Sequence, residues 1–486
     1  MGNKDMDIAH RDHLLAALHG LLGAATLLLC LLAELSVFAF RRHAALHLIP
    51  VCAMLLLRRF RRRAADTWLV DFSCLKPPRR LRIPVAGLLE HLRLIGCFDD
   101  RSVEFMAKVV EASGMGNETY FPRSLHYIPP AATHGDALEE ARALFFPALD
   151  DLFARTRVPP SAVGALVVNC SGFCAAPSLA SVVAHRYAMR DDVRSFNLSG
   201  MGCAAGAVGV DVARGLLRAH GMEYAVVVSA EIVTVGWYSG RDQGKLLLNC
   251  YFRTGCSAAL LTNKRSDRHG AARYRLVSLT RTNQSANDRS YRSGYREEDD
   301  EGVTGFTLGQ GVGRMVSELL RAHLVTLSLA VLPWREKLRY AAALLLSARQ
   351  QRRRDKLAAG GSRGMQLPDF RTAADHFCLP SSGRPMIWRL GRGLGLGERE
   401  MEAALMTFHR FGNQSAASLW YQLAYLEAKG RVRAGDTVWQ LAVGSGLKAN
   451  SLVWERVGDA GAGRDAERAL AGPWADCIHK YPVTDT

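Results

Sequence analysis

The sequence predicts an α/β protein made of two halves of similar build, preceded by an N-terminal membrane anchor of one or two helices. Three observations carry this prediction. Between Ala165 and Ala230 apolar strand-like runs alternate with helix-like runs, the pattern of a largely parallel sheet covered by helices. A second set follows after residue 400. The N-terminus is an apolar outlier, and at 486 residues the chain exceeds one ordinary domain. The expected organisation is an anchor at 1–64, a first half at 65–310, an apolar and basic insertion at 311–365, and a second half at 366–486.

From Leu14 to Phe40 the chain is almost continuously apolar, interrupted by His19 and Glu34, and is long enough to span a bilayer core. A second apolar run, Ala44 to Leu57, holds His47 and Pro50 and reads as a short span or a re-entrant arm. Two such runs are too long for a cleaved signal peptide. The cluster Arg58-Arg59-Phe60-Arg61-Arg62-Arg63 then holds the following chain on the cytosolic side, although Arg41 and Arg42 in the turn oppose that orientation. The 11 cysteines lack the paired spacing of a disulfide framework, which fits a reducing compartment.

The elements follow in order. Val70 to Cys74 is an extended lead-in stopped by Pro77-Pro78, and residues 97–156 are helical and loop-like. Strand Ala165–Asn169, helix Leu179–Met189, strand Val193–Leu198, helix Ala204–His220 and strand Tyr224–Ala230 form the alternating block, extended by strands at Ser257–Thr262 and Tyr274–Arg281. Met315 to Leu346 is apolar with interspersed arginines and leads into Arg349 and Arg352-Arg353-Arg354. It reads either as a segment lying on a membrane surface or as a core helix pair with a solvated basic tail. Helices Met401–Phe411 and Ser415–Ala428 and strand Thr437–Val443, with its exit Gly444-Ser445-Gly446, build the second half.

A net charge of +16 calls for an anionic partner: nucleic acid, a membrane surface or a phosphate-rich molecule such as a coenzyme A thioester. Zinc-finger spacing, recognition-helix signatures and aromatic-interleaved basic strands are absent, so nucleic acid is not expected. Cys170 and Cys174 have no partner ligands at metal spacing, and no metal is expected.

The candidate chemistry sits at Cys203, within Gly200-Met201-Gly202-Cys203-Ala204-Ala205-Gly206 between a strand and a helix. A thiol at a helix N-terminus meets unpaired N–H groups and the positive dipole end, which favour the thiolate. The glycines permit a tight turn and close approach of substrate, and the N–H groups there can cradle an oxyanion. Taken alone, any one cysteine is more often a buried structural residue, and it is the context that favours the chemical reading here.

Val70-Asp71-Phe72-Ser73-Cys74, Asn169-Cys170-Ser171, Pro177-Ser178-Leu179, Asn197 to Cys203, Tyr291-Arg292, Glu297 to Asp300, His376-Phe377-Cys378, His409-Arg410-Phe411-Gly412-Asn413 and Gly444-Ser445-Gly446 together resemble the plant 3-ketoacyl-CoA synthases, in order, from Val70 to about Glu455. These are condensing enzymes of very-long-chain fatty acid elongation. The resemblance implies a thiolase-like layered αβαβα fold of two related halves with the site at their junction. It implies attack of Cys203 on a long acyl-CoA, decarboxylation of malonyl-CoA, and condensation to a 3-ketoacyl-CoA. It implies no cofactor beyond the acyl-CoA and malonyl-CoA substrates, and an endoplasmic reticulum membrane location with the catalytic body facing the cytosol. A homodimer and other elongase subunits are the implied partners.

By the same resemblance Asn413 stabilises the enolate, and His376 and His409 belong to the functional set. Apart from the resemblance, Asn413 is a good helix-start residue, His409 lies one turn before it, and His376 is an ordinary histidine near a loop. Arg253 is one of several arginines able to meet coenzyme A phosphates. Two positions depart from the family. Pro380 stands where Cys378-Leu379 should be followed by the histidine that partners the asparagine, and Asn283 follows Arg281-Thr282 where the family has histidine. Proline offers neither a side-chain donor nor an N–H. The sequence therefore leaves two readings: an active condensing enzyme, or a homologue impaired in condensation that binds acyl chains or partners.

Overall fold

The computed structural model describes residues 31, 34, 66–264, 266–269, 272–309, 311–343, 367–458 and 472–483. Both apolar segments expected to form the anchor lie, but for Leu31 and Glu34, outside the described residues, and no helix among those described is long and apolar enough to cross a membrane. The chain divides into two compact units, Met1–Asp66 and Thr67–Thr486. The second unit is described below.

Its strands are β1 (Trp68–Cys74), β2 (Val163–Asn169), β3 (Arg194–Leu198), β4 (Tyr224–Ala230), β5 (Cys256–Thr262), β6 (Tyr274–Asn283), a separate hairpin β7 (Gly294–Glu298) and β8 (Thr304–Leu308), then β9 (His376–Cys378), β10 (Thr437–Gly444) and β11 (Lys448–Arg456). Nine of them form one hydrogen-bonded sheet in the order β3-β2-β4-β5-β1-β6-β11-β10-β9. The sheet is mixed, not largely parallel. β2 runs parallel to β3 and β4, but β5 is antiparallel to both β4 and β1, and β11 is antiparallel to both β6 and β10. The pairing of Trp68 and Leu69 with Arg275 and Tyr274 joins two portions of the sheet, β3-β2-β4-β5-β1 and β6-β11-β10-β9, called below the first and the second sheet. β6 lies within the span expected for the first half, yet its long pairing with β11 makes it part of the second sheet.

β2, β4 and β5 are buried along their whole length, which is why they read as unbroken apolar runs. β1 is equally buried but carries Asp71 at its middle, where the carboxylate accepts the Phe72 N–H at 2.9 Å and pairs with Arg273 at 2.7 Å. A buried carboxylate is tolerated because it is paired and hydrogen-bonded.

The helices are α1 (Val85–Leu94), α2 (Asp100–Ala112), α3 (His134–Thr156), α4 (Leu179–Arg186), α5 (Ala205–Ala219), α6 (Gln243–Tyr251), α7 (Val312–Val331), α8 (Arg384–Gly393), α9 (Glu398–Phe411) and α10 (Ser418–Ala428). Three of the four packed cores among the described residues stack helices and sheet into layers, while the fourth packs α1, α2 and α6 together through Leu88, Met106 and Leu246. Leu144, Phe145, Leu149 and Leu152 of α3 cover the outer face of the first sheet through Leu166, Val168, Val226 and Leu260. α5 and α10 lie between the sheets, their Val210, Leu217, Leu419 and Leu423 sharing one core with Val167 and Val227 on one side and Val438 and Leu452 on the other. Leu319, Leu324 and Leu327 of α7 join Ile387 of α8 against Trp439, Leu441 and Val453 outside the second sheet. The order is helix, sheet, helix, sheet, helix.

α7 is thus a core helix over the first part of the apolar segment 315–346. It ends at Val331, and Leu332 turns extended before Pro333, which cannot continue the backbone ladder.

Candidate active site

The N-terminus of α5 is reached through a tight turn. Gly202 has φ +58°, a left-handed value that a side chain disfavours, and a Cβ there would meet Ser445 N at 2.9 Å. Gly202–Ala204 then form one 3₁₀ turn leading into α5, with Cys203 at its centre. The matching turn in the second half, Ser415–Ala417, leads into α10 in the same way, and Ser415 has φ +55°. The two turns pack against each other. A Cβ on Gly206 would lie 2.7 Å from the Ala416 carbonyl oxygen, so only glycine lets the two central helices approach this closely.

Asn413 is held by backbone on both sides. Its N–H donates to the Tyr251 carbonyl at 2.9 Å, and its carbonyl accepts the Arg253 N–H at 3.0 Å. Its side-chain Oδ1 accepts the Ser415 N–H at 2.7 Å. The amide NH₂ is therefore the end left to donate toward Cys203, and Asn413 does act on that thiol, favouring its anion. Arg253 is a strut behind this arrangement. It is wholly buried with its guanidinium 4.6 Å from the Phe121 ring centroid, donates to the carbonyls of Asn249 and Phe252, and is pushed down to about 10 by burial. That position excludes the contact with coenzyme A phosphates considered from sequence.

The Cys203 thiol sits above its ordinary pKa, not below it. Burial is the main cause; Ser415 and Asn413 pull it back by hydrogen bonding, and the charge of Glu231 adds to the rise. The helix terminus expected to favour the thiolate does not overcome desolvation in the free protein.

Glu231 and Ser415 are the functional candidates that motif reading missed. Glu231 leaves the end of β4 and is raised by burial, while its carboxylate accepts the Gly172 N–H at 2.7 Å and the Ser171 N–H at 3.1 Å. It thereby holds the exit of β2 beside the Cys203 turn, to which Ser171 also connects through its carbonyl, which accepts the Gly200 N–H. The only signal was a single charged residue directly after an apolar strand. The β10–β11 turn closes the other side, with Ser445 Oγ donating to the Gly200 carbonyl at 3.0 Å and Lys448 donating to the Ser445 carbonyl at 3.0 Å.

Neither candidate histidine joins this group. His376 lies at the start of β9 with Nε2 2.9 Å from the Asp436 carboxylate, which it helps to hold below the usual range. His409 places Nδ1 3.1 Å from the Gly114 carbonyl and its ring against Tyr481, and burial lowers its pKa. Asn283 ends β6 and uses Oδ1 to accept from the Ser285 N–H and hydroxyl, organising a turn. Pro380 follows β9 between two gripped residues: Leu379, held by Gln422, and Ser381, whose hydroxyl accepts from Gln422 at 3.1 Å. Among the described residues no group of three or more His, Cys, Asp or Glu side chains is arranged to hold a metal ion.

Comparison with known proteins agrees with this architecture. A family model described as FAE1/Type III polyketide synthase-like protein matches residues 58–350, and one for the C-terminal part of 3-oxoacyl-[acyl-carrier-protein] synthase III matches 372–456. The chain is 44% identical over 422 residues to 3-ketoacyl-CoA synthase 4 of Arabidopsis thaliana, covering 87% of this chain and 79% of that one. It is 38% identical over 478 residues to 3-ketoacyl-CoA synthase 11 of the same plant, covering 96% and 91%. Among solved structures, the type III polyketide synthase 1,3,6,8-tetrahydroxynaphthalene synthase of Streptomyces coelicolor superposes with TM-score 0.63 at 15% identity, over 80% of this chain and 99% of that one. The polyketide synthase PKS-I of the brown alga Ectocarpus siliculosus gives TM-score 0.60 at 16% identity, over 81% and 98%. These likenesses identify the helix–sheet–helix–sheet–helix stack as the thiolase-like fold of type III polyketide synthases. By these relatives and this family model, the chain belongs to the 3-ketoacyl-CoA synthase family of condensing acyltransferases, with a condensing role in fatty acid elongation.

Proposed function

We propose that this chain condenses malonyl-CoA with a long-chain acyl-CoA through an acyl thioester on Cys203, giving a 3-ketoacyl-CoA two carbons longer in very-long-chain fatty acid elongation. The convergence of the α5 turn and the Asn413 amide on one thiol carries this reading. Transfer of the acyl chain leaves Cys203 as a thioester; decarboxylation of malonyl-CoA generates an enolate whose oxygen the Asn413 NH₂ stabilises; the carbanion attacks the acyl carbon and releases the product. The substrate thioesters carry the reactive carbons, so the residues present are asked for no redox or metal chemistry. The reading includes attachment to the endoplasmic reticulum membrane through residues 1–64, a catalytic body facing the cytosol, and assembly as a dimer with other elongase subunits.

Membranes containing the full chain, supplied with labelled malonyl-CoA and a series of saturated acyl-CoAs, should yield 3-ketoacyl-CoA that is lost on Cys203→Ala. One observation favours a second reading. Pro380 supplies no donor, and His376 and His409 have partners away from the thiol, so of the side chains that the resemblance assigns to this role Asn413 alone is left to polarise the enolate. Loss of one preorganised donor typically slows turnover by about 10²–10³. Acylation of Cys203 without a lengthened product would identify the chain as a condensation-impaired homologue that binds acyl chains.

A further inference from the structure

We propose that residues 329–343 form a docking face for the surface of an anionic phospholipid bilayer, built from Leu329, Trp334 and Leu338 and flanked by Arg335 and Lys337. The inference goes beyond the proposed attachment through residues 1–64 and stands without it.

The face belongs to an inverted amphipathic helix. Pro333 interrupts the chain after α7, and residues 334–343 are again helical. An ordinary surface helix turns its apolar stripe inward and its charges out. Here the inward position goes to Glu336, which is 7% exposed, while Trp334 is 66% and Leu338 55% exposed. At about 100° per residue Trp334 and Leu338 share one face, and each lies about 160° from Glu336. The orientation is fixed from the inside. Leu332 is buried in the core outside the second sheet. Glu336 accepts the Asp369 N–H at 3.0 Å and two guanidinium donors of Arg339 at 2.7 and 2.6 Å. Rolling the helix to bury Trp334 would take the carboxylate away from the Asp369 N–H. Trp334 is therefore held out, as the most exposed large apolar side chain among the described residues, and Leu329 in the last turn of α7 is 55% exposed as well.

Charge decides what covers this face. Arg335 sets its guanidinium 5.5 Å from the Trp334 ring centroid, Lys337 stands on the same helix, and the sequence that follows carries Arg349, Arg352, Arg353 and Arg354. A second copy placed on the face by a twofold axis would bring these cations against their own counterparts. An anionic bilayer answers both features: the indole settles at headgroup level, Leu338 reaches the acyl boundary, and the basic side chains meet lipid phosphates and carboxylates. The contact is one of lying on the bilayer, since four charged residues, Arg335, Glu336, Lys337 and Arg339, fall within the two turns that carry Trp334 and Leu338.

Photolabelling tests the face. The full-length chain is reconstituted into vesicles of phosphatidylcholine, with and without phosphatidylserine, containing a phosphatidylcholine whose acyl chain carries a diazirine. After irradiation and chymotryptic digestion, lipid adducts are mapped by mass spectrometry. Peptides covering 329–343 should carry adducts, raised by phosphatidylserine about fivefold or more, the factor that one surface cation supplies, and lowered again by salt. Trp334→Ser with Leu338→Ser should reduce these adducts about fivefold or more. Arg335→Glu with Lys337→Glu should abolish the gain from phosphatidylserine. Both double variants change side chains at the surface, so their thermal midpoints should stay at the wild-type value. The docking face is overturned if peptides covering 329–343 carry no adduct, or if either double variant leaves their yield in phosphatidylserine vesicles unchanged. A second copy or residues 344–366 covering the face would exclude the lipid probe and give the first of these results. Peptides within 1–64 are the internal reference. Adducts there without adducts at 329–343 overturn the docking face and leave the anchor standing, whereas the reverse supports the face and overturns the anchor.

Discussion

Gln422 holds Leu379 by both of its backbone groups, accepting the Leu379 N–H at 2.8 Å and donating to the Leu379 carbonyl at 2.7 Å. The same amide reaches Ser381 Oγ, so the backbone around Pro380 is fixed whatever side chain stands there. Ser382 N–H donates to the Pro380 carbonyl, a bond that does not depend on the proline ring. Pro380→His should therefore install an imidazole without refolding the segment. Condensation, measured as labelled 3-ketoacyl-CoA from malonyl-CoA, should rise by about 10²-fold or more, with acylation of Cys203 changed little.

Gln422→Ala should unfasten that segment. It leaves a buried N–H and a buried carbonyl without partners, at a cost of about 3 kcal/mol. The urea midpoint of unfolding should fall with no change in slope.

Much of this architecture is legible in the chain. β2, β4 and β5 show as apolar runs because both of their faces are covered, and the Cys203 turn shows because glycines bracket a thiol at a strand-to-helix junction. β1 reads only as a lead-in because Asp71 interrupts it, and its compensation by Arg273 comes from far along the chain. β11 is obscured by polar residues that work inside the core: Ser451 accepts from Trp439 Nε1 at 2.8 Å, and Asn450 donates to the Ala204 carbonyl at 3.2 Å. The mixed sheet follows from pairings between distant segments, which local pattern does not encode. Asn413 is visible by motif, whereas Ser415 and Glu231 acquire meaning only when the two halves bring them beside the thiol.

Glu140 of α3 makes a pH prediction. It accepts the N–H groups of Val233 at 2.9 Å and Thr234 at 2.8 Å, yet burial raises it from 4.5 to about 7. The folded protein then binds more protons than the unfolded chain between those values. Its contribution to stability is complete below the unfolded pKa and declines as pH rises toward 7, by up to about 3 kcal/mol. Glu140→Gln should flatten the stability curve over that window, as read from denaturant midpoints at a series of pH values.

Gly206→Ala tests the contact between the central helices. Its methyl would meet the Ala416 carbonyl at 2.7 Å, forcing the two turns apart at a cost of about 1–3 kcal/mol. Acylation of Cys203 should fall together with stability. By contrast His376→Ala, which removes only the pairing with Asp436, should leave acylation within about threefold of wild type, an effect below the 10²-fold scale of a lost general base.

The most direct test of the whole account is the chemical state of one sulfur. Full-length protein is incubated with a long saturated acyl-CoA, quenched, digested, and the peptide containing Cys203 weighed. The account predicts an acyl group on Cys203 that hydroxylamine removes, and its disappearance on adding malonyl-CoA to the Pro380→His variant. An unmodified Cys203 under conditions where iodoacetamide labels it would contradict the account.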